Sequence, residues 1–267
     1  MVISRETYIE NKKAKIYLNE KVVNNSKDAI LLIHGLAEHS GRYEDFISRL
    51  NEQSYSVFAM DLRGHGKSKG KRGDSESLNK VLSDVDKAID YMKEKYNFEK
   101  VGIFGHSVGG LVSSLYQSLY NKADFIILSS PAIYTPKKLK VIKFIPYNLL
   151  SFVKIKKNYS ESKEMLEYSR QDELALKKFS IRTIGIFFKT GTRKLKKVIN
   201  INCPTLLVYG KNDPLLSEQE RFVEFMKKLT NDKNKLICFN DAKHRIVQNE
   251  GFEERIKQIV SWINEIK

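Results

Sequence analysis

Six short runs rich in apolar residues punctuate the chain: Ala29–Ile33, Ser56–Met60, Val101–Phe104, Phe125–Leu128, Thr205–Tyr209 and Leu236–Phe239. Each is continuous rather than alternating, which predicts strands covered on both faces. The stretches Glu6–Glu10 and Ala14–Asn19 alternate instead, and predict an opening hairpin. Between the runs the apolar spacing becomes helical. Leu111, Val112, Leu115, Tyr116 and Leu119 form one stripe, Phe222, Val223, Met226 and Leu229 a second, and Ile256, Ile259, Val260 and Ile263 a third. Buried strands alternating with helices imply an α/β fold, a mostly parallel central sheet with helices on both faces.

The alternation breaks between Pro131 and Pro204. This interval shows no clear strand run and reads as helical, basic and rich in bulky apolar residues such as Phe144, Ile145, Leu149, Leu150, Phe152 and Val153. It is expected to be an inserted helical cap. The predicted organisation is therefore residues 1–131 as the first part of the core, 132–200 as the cap and 201–267 as the second part of the core. There is no internal repeat and no low-complexity linker.

Charge sharpens that division. The 267-residue chain has a formal net charge of +15, and residues 132–200 alone hold 17 Lys/Arg against 5 Asp/Glu. A general solubility effect would be spread more evenly. A basic, apolar cap suits transient contact with an anionic membrane surface; equally, its apolar residues could pack on the core while the lysines are solvated. No nucleic-acid-binding motif accompanies the charge, so no nucleic-acid partner is expected. The amino terminus, MVISRETYIENKK, lacks the apolar stretch of a secretory signal, and no run approaches the roughly 20 apolar residues of a membrane span. Two cysteines, Cys203 and Cys238, make neither a disulfide framework nor a zinc site. A cytoplasmic location is expected, peripheral at a membrane surface if the cap docks there. The sequence leaves the oligomeric state open.

The candidate chemistry starts at GIFGHSVGG, residues 102–110. A serine on a G-x-S-x-G turn between strand and helix is lifted above the carboxyl end of a sheet. Gly105 and Gly109 remove side chains from the sharp bend, and the helix N-terminus beyond it favours a developing oxyanion. Ser107 is thus the candidate nucleophile. In such folds the acid and the histidine follow the serine in that order. Of His34, His39, His65, His106 and His244, only His244 lies beyond Ser107, in a loop after the last strand. Of the aspartates between them, Asp213 alone directly follows a predicted strand, as TLLVYG then KNDP. The oxyanion hole is expected from the backbone amides of Leu36 and Val108; one such donor is worth about 3 kcal/mol of transition-state energy. Gly35 lets the first loop approach the serine, and His34 orients that loop. The glycine-rich DLRGHGKSKG, residues 61–70, lacks P-loop spacing and reads as structural. No metal and no organic cofactor is called for.

Together, HGLAEHSGRY, DLRGHGKSKG, GHSVGG, the YGKNDP loop and the AKH loop resemble the monoacylglycerol lipase and lysophospholipase group of α/β-hydrolases, as does YSRQDELALKK in the cap. The resemblance runs from Ala29 over nearly the whole remaining chain. It implies a serine ester hydrolase with nucleophile Ser107, acid Asp213, base His244 and an oxyanion hole from Leu36 and Val108. It also implies a cap forming an apolar acyl channel and a small lipid ester as substrate. The unusually basic cap departs from the group. A peptidase or thioesterase on the same scaffold, and a catalytically silent lipid-binding protein, are the competing readings.

Overall fold

An eight-stranded sheet runs through the computed structural model, which describes residues 1–11, 14–137, 152–154, 171–248 and 251–266. Its strands are β1 (Val2–Asn11), β2 (Ala14–Val23), β3 (Asp28–Ile33), β4 (Ser56–Met60), β5 (Lys100–His106), β6 (Phe125–Ser129), β9 (Thr205–Gly210) and β10 (Lys235–Phe239). Across the sheet they lie in the order β1-β2-β4-β3-β5-β6-β9-β10. The β1–β2 hairpin joins antiparallel to β4, and every other pairing is parallel. The α/β fold expected from the alternation is the one observed.

The pleat explains the continuous apolar runs. Leu31 and Ile33 of β3 enter one core with residues of α2 (Leu78–Tyr96) and α3 (Val108–Tyr120), whereas Ile30 and Leu32 enter a second core with α1 (Glu44–Glu52) and α7 (Phe252–Glu265). Each such side chain contributes about 2 kcal/mol by leaving water. The helix α2 was not singled out by the apolar pattern. Its start is marked by Ser77, whose hydroxyl accepts a hydrogen bond from the Lys80 amide at 3.3 Å, and its end by Asn97 in the left-handed region.

Three expectations need correction. Leu236–Phe239 is not covered on both faces: β10 is an edge strand, and only Phe239 in it is buried. Leu119 and Val223 do not join the buried stripes of α3 and α6 (Glu220–Met226) but are 41% and 38% exposed. The interval 132–200 is not purely helical either. Two three-residue strands, β7 (Phe152–Lys154) and β8 (Lys178–Ser180), pair antiparallel within it. The ammonium groups of Lys71 and Lys178 lie 5.2 and 5.6 Å from the Phe152 ring centre. Phe144, Ile145, Leu149 and Leu150 lie outside the described residues. The helices described in this interval are α4 (Ile181–Gly185), a π-helical turn (Ile186–Gly191) and α5 (Thr192–Val198), of which the π-helical turn and α5 pack on α3.

Candidate active site

The carboxyl ends of β5, β9 and β10 converge on one point. Ser107 caps β5 and opens α3 with φ 52° and ψ −113°, a conformation that a non-glycine residue holds only under constraint. The constraint is visible in the hydrogen bonds: the Ser107 amide donates to the Ser129 carbonyl at 2.9 Å, and its carbonyl accepts from the Ala132 and Leu111 amides. The bend also requires Gly105 and Gly109. A Cβ on Gly109 would sit 2.1 Å from the Ile33 carbonyl oxygen, and one on Gly105 would sit 2.5 Å from that of Gly109.

His244 reaches Ser107 from the loop after β10. Its Nε2 is 2.9 Å from Ser107 Oγ, and its Nδ1 is 2.6 Å from Asp213 Oδ2. Facing an acceptor-only carboxylate, Nδ1 carries the proton, which leaves Nε2 to accept from the hydroxyl. The second Asp213 oxygen accepts from the amides of Leu215 and Leu216 at 2.8 and 3.1 Å. Burial raises the Asp213 carboxyl pKa, but His244 and these amides outweigh it and hold the group below the ordinary carboxylate range. The acid and base loops are laced together by the Asn212 amide, which donates to the Ala242 carbonyl.

The loop after β3 meets Ser107 from the other side. A Cβ placed on Gly35 would lie 3.3 Å from that of Ser107, so the adjoining Leu36 is beside the serine, as is Val108 at the head of α3. His34 is fully buried. It accepts from the Leu62 amide through Nε2 at 2.9 Å, and its Nδ1 is 2.7 Å from the Gly35 carbonyl. It therefore joins this loop to residues 61–70, and burial lowers its pKa to about 4. His106, whose ring is tilted against that of His244 with centres 4.9 Å apart, likewise has its pKa lowered by burial, to about 3. In residues 61–70, Asp61 accepts from the Ser40 and Lys67 amides, so this glycine-rich loop is tied into the fold next to the site.

Sequence reasoning missed two groups here. Glu38 is buried, accepting from the Gly35 amide at 3.2 Å and the Tyr43 hydroxyl at 2.7 Å, and pairing with Arg245 at 2.9 Å. It ties the loop beside Ser107 to the residue following His244. Asp172, from the interval read as cap, accepts from His39 and Arg42 on the far side of the same loop. Both carboxylates lie in polar stretches that look solvated, and no local spacing brings positions 38 and 245 together.

A largely parallel sheet with a serine raised on a strand-to-helix turn, facing a histidine and an aspartate from later strand ends, is the architecture of an α/β-hydrolase. Residues 24–251 match the Hydrolase_4 family, serine aminopeptidase, S33, and the chain belongs to that family. It is 29% identical over 249 residues to an abhydrolase domain-containing protein of Dictyostelium discoideum, covering 88% of this chain but only 26% of that protein. It is 24% identical over 251 residues to the monoglyceride lipase of Mus musculus, covering 89% of this chain and 82% of the lipase. Among solved structures, the monoacylglycerol lipase of Paleococcus ferrophilus superposes with a TM-score of 0.82 at 26% identity, over 94% of this chain and 99% of that one.

Proposed function

We propose that this protein is a serine carboxylic-ester hydrolase of the monoacylglycerol lipase or lysophospholipase type. The observation that carries the reading is the unbroken chain of hydrogen bonds from Asp213 through His244 to Ser107. In the first step Ser107 Oγ attacks the ester carbonyl while its proton passes to His244 Nε2, and the tetrahedral oxyanion forms beside the amides of Leu36 and Val108. Asp213 keeps the imidazole in the required tautomer and stabilises the imidazolium. Collapse expels the alcohol, which takes the proton from His244 and leaves an acyl-enzyme. Water, deprotonated by the same nitrogen, then releases the carboxylic acid and restores Ser107.

The substrate class rests on the likeness to the mouse and Paleococcus enzymes and on the apolar, basic interval 132–200. In this reading that interval caps the site, guides a single acyl chain and meets anionic lipid surfaces from the cytoplasm. The family description also names a serine aminopeptidase, which makes cleavage of an aminoacyl amide the second reading.

A substrate panel separates the two. Short- and long-chain p-nitrophenyl esters, a monoacylglycerol, a lysophospholipid and an aminoacyl amide are offered to the purified protein and to Ser107→Ala. Turnover of the long-chain esters and glycerolipids, lower by at least about a thousandfold in the variant, is the expected result. Activity on the amide alone moves the assignment to a peptidase. No turnover and no fluorophosphonate labelling of Ser107 makes the protein a binding module.

A further inference from the structure

The loop that carries Leu36 is held from outside as well as from within. Gly35–Glu38 forms a tight turn, closed by the Glu38 amide donating to the Gly35 carbonyl at 3.4 Å. Its third residue, Ala37, has φ 69°. That position favours glycine, so an alanine stays there only while neighbours hold it. The neighbours are in the segment leading to β8. The Leu176 amide donates to the Ala37 carbonyl at 3.0 Å. Asp172, whose side chain is 8% exposed, places Oδ2 at 2.9 Å from His39 Nε2 and 2.8 Å from Arg42 Nε. Its Oδ1 accepts from the Leu174 and Ala175 amides at 2.9 and 3.1 Å. His39 Nδ1 accepts from the Gly41 amide, which leaves Nε2 as the donor to Asp172. Arg72 adds a further tie to the carbonyls of Glu173 and Leu174.

We propose that Asp172 is a positioning residue: by clamping His39 and Arg42 to the segment 172–176, it holds the Gly35–Glu38 turn in the strained form that presents the Leu36 amide to the oxyanion. The inserted interval thereby sets the competence of the catalytic centre as well as covering it. The inference rests on the ester-hydrolase reading above.

Asp172→Asn is the informative variant. Its carbonyl still accepts from Leu174 and Ala175, but its amide turns a donor toward two donors, so the clamp opens while the local turn survives. The test uses a short, water-soluble p-nitrophenyl ester, which needs no long acyl channel, together with the rate of fluorophosphonate labelling of Ser107. The expected result is a kcat about tenfold or more below wild type, with KM within twofold, unchanged circular dichroism and slower labelling. Adding Ala37→Gly, which makes the positive φ comfortable, should recover most of that loss; a role confined to packing would not respond to a glycine in this loop. Wild-type kcat and labelling in Asp172→Asn would overturn the proposal. So would a loss seen only in KM for long-chain esters, or a loss that Ala37→Gly leaves unchanged. If the wild type hydrolyses no ester but is labelled at Ser107, the ester reading fails and the labelling rates still decide the clamp. If Ser107 is not labelled at all, both fall.

Discussion

Replacing Glu38 with glutamine removes one charge and almost no volume from the centre of the molecule. The Glu38 side chain is 4% exposed and its partner Arg245 is 11% exposed, at 2.9 Å. Breaking a buried pair from one side costs about 3–5 kcal/mol. The lower end applies, because glutamine still accepts from the Gly35 amide or the Tyr43 hydroxyl and Arg245 keeps some contact with water. Urea unfolding reads the loss directly: with a slope of about 3 kcal/mol per molar for a chain of this size, the midpoint should fall by about 1 M. The pH dependence gives an independent check. Burial would raise the Glu38 pKa, but Arg245 and other nearby groups outweigh it and hold the group well below its ordinary 4.5. A carboxylate with a depressed folded-state pKa contributes stability that is complete above the unfolded value and is lost as pH falls toward the folded one. The gap between wild type and Glu38→Gln should therefore be constant near neutrality and shrink below about pH 4.5. A gap under 1 kcal/mol at pH 7, or one that does not change down to pH 3, would refute this account of the pair.

Three further outcomes follow from the same geometry. Asp213→Asn should lower kcat about ten-thousandfold with little change in KM, because the side-chain amide favours the wrong tautomer of His244; a loss below tenfold, measured by steady-state ester hydrolysis, would remove Asp213 from the mechanism. Gly109→Ala should leave little folded protein, since the new Cβ meets a backbone carbonyl at 2.1 Å that cannot step aside; a thermal midpoint within a few degrees of wild type contradicts it. If the basic interval meets membranes, the protein should sediment with anionic vesicles at low ionic strength and be released as salt rises, whereas no sedimentation at low salt ends that reading.

Most of the sheet was legible because burial on both faces forces strands to be apolar throughout, as in Ala29–Ile33. The serine turn, Asp213 and His244 were legible for a related reason: each lies just beyond a strand end. The edge strand β10 was misread because LICF looks no different from a central strand, yet it ends the sheet order and its Cys238 is exposed. β7 and β8 were invisible since three residues carry no period, and their partners lie about two dozen residues apart. The π-helical turn at Ile186–Gly191 leaves no local signal that separates it from an ordinary helix. Glu38 and Asp172 are the more instructive misses. A charged residue in a loop is normally solvated, and only the folded path shows that Arg245 and Arg42 come to meet them.

The strands β6 and β9 are neighbours in the sheet and run parallel, so the chain leaving the top of one must come back to the bottom of the other. The helical stretch from Ile181 to Val198, packed on α3 from Ile186 onward, makes that return journey. For anyone exchanging part of the interval 132–200 between such hydrolases, this fixes where to cut. A donor segment spliced near Tyr134 and Ser180 leaves the crossover intact, and Asp74, bonded to Ser180 and Arg182, serves as a ready-made docking post for the seam. A segment cut at residue 200 would carry away the connector that lets two halves of one sheet find each other. Such an exchange also removes Asp172, so a donor segment has to bring its own carboxylate to His39 and Arg42.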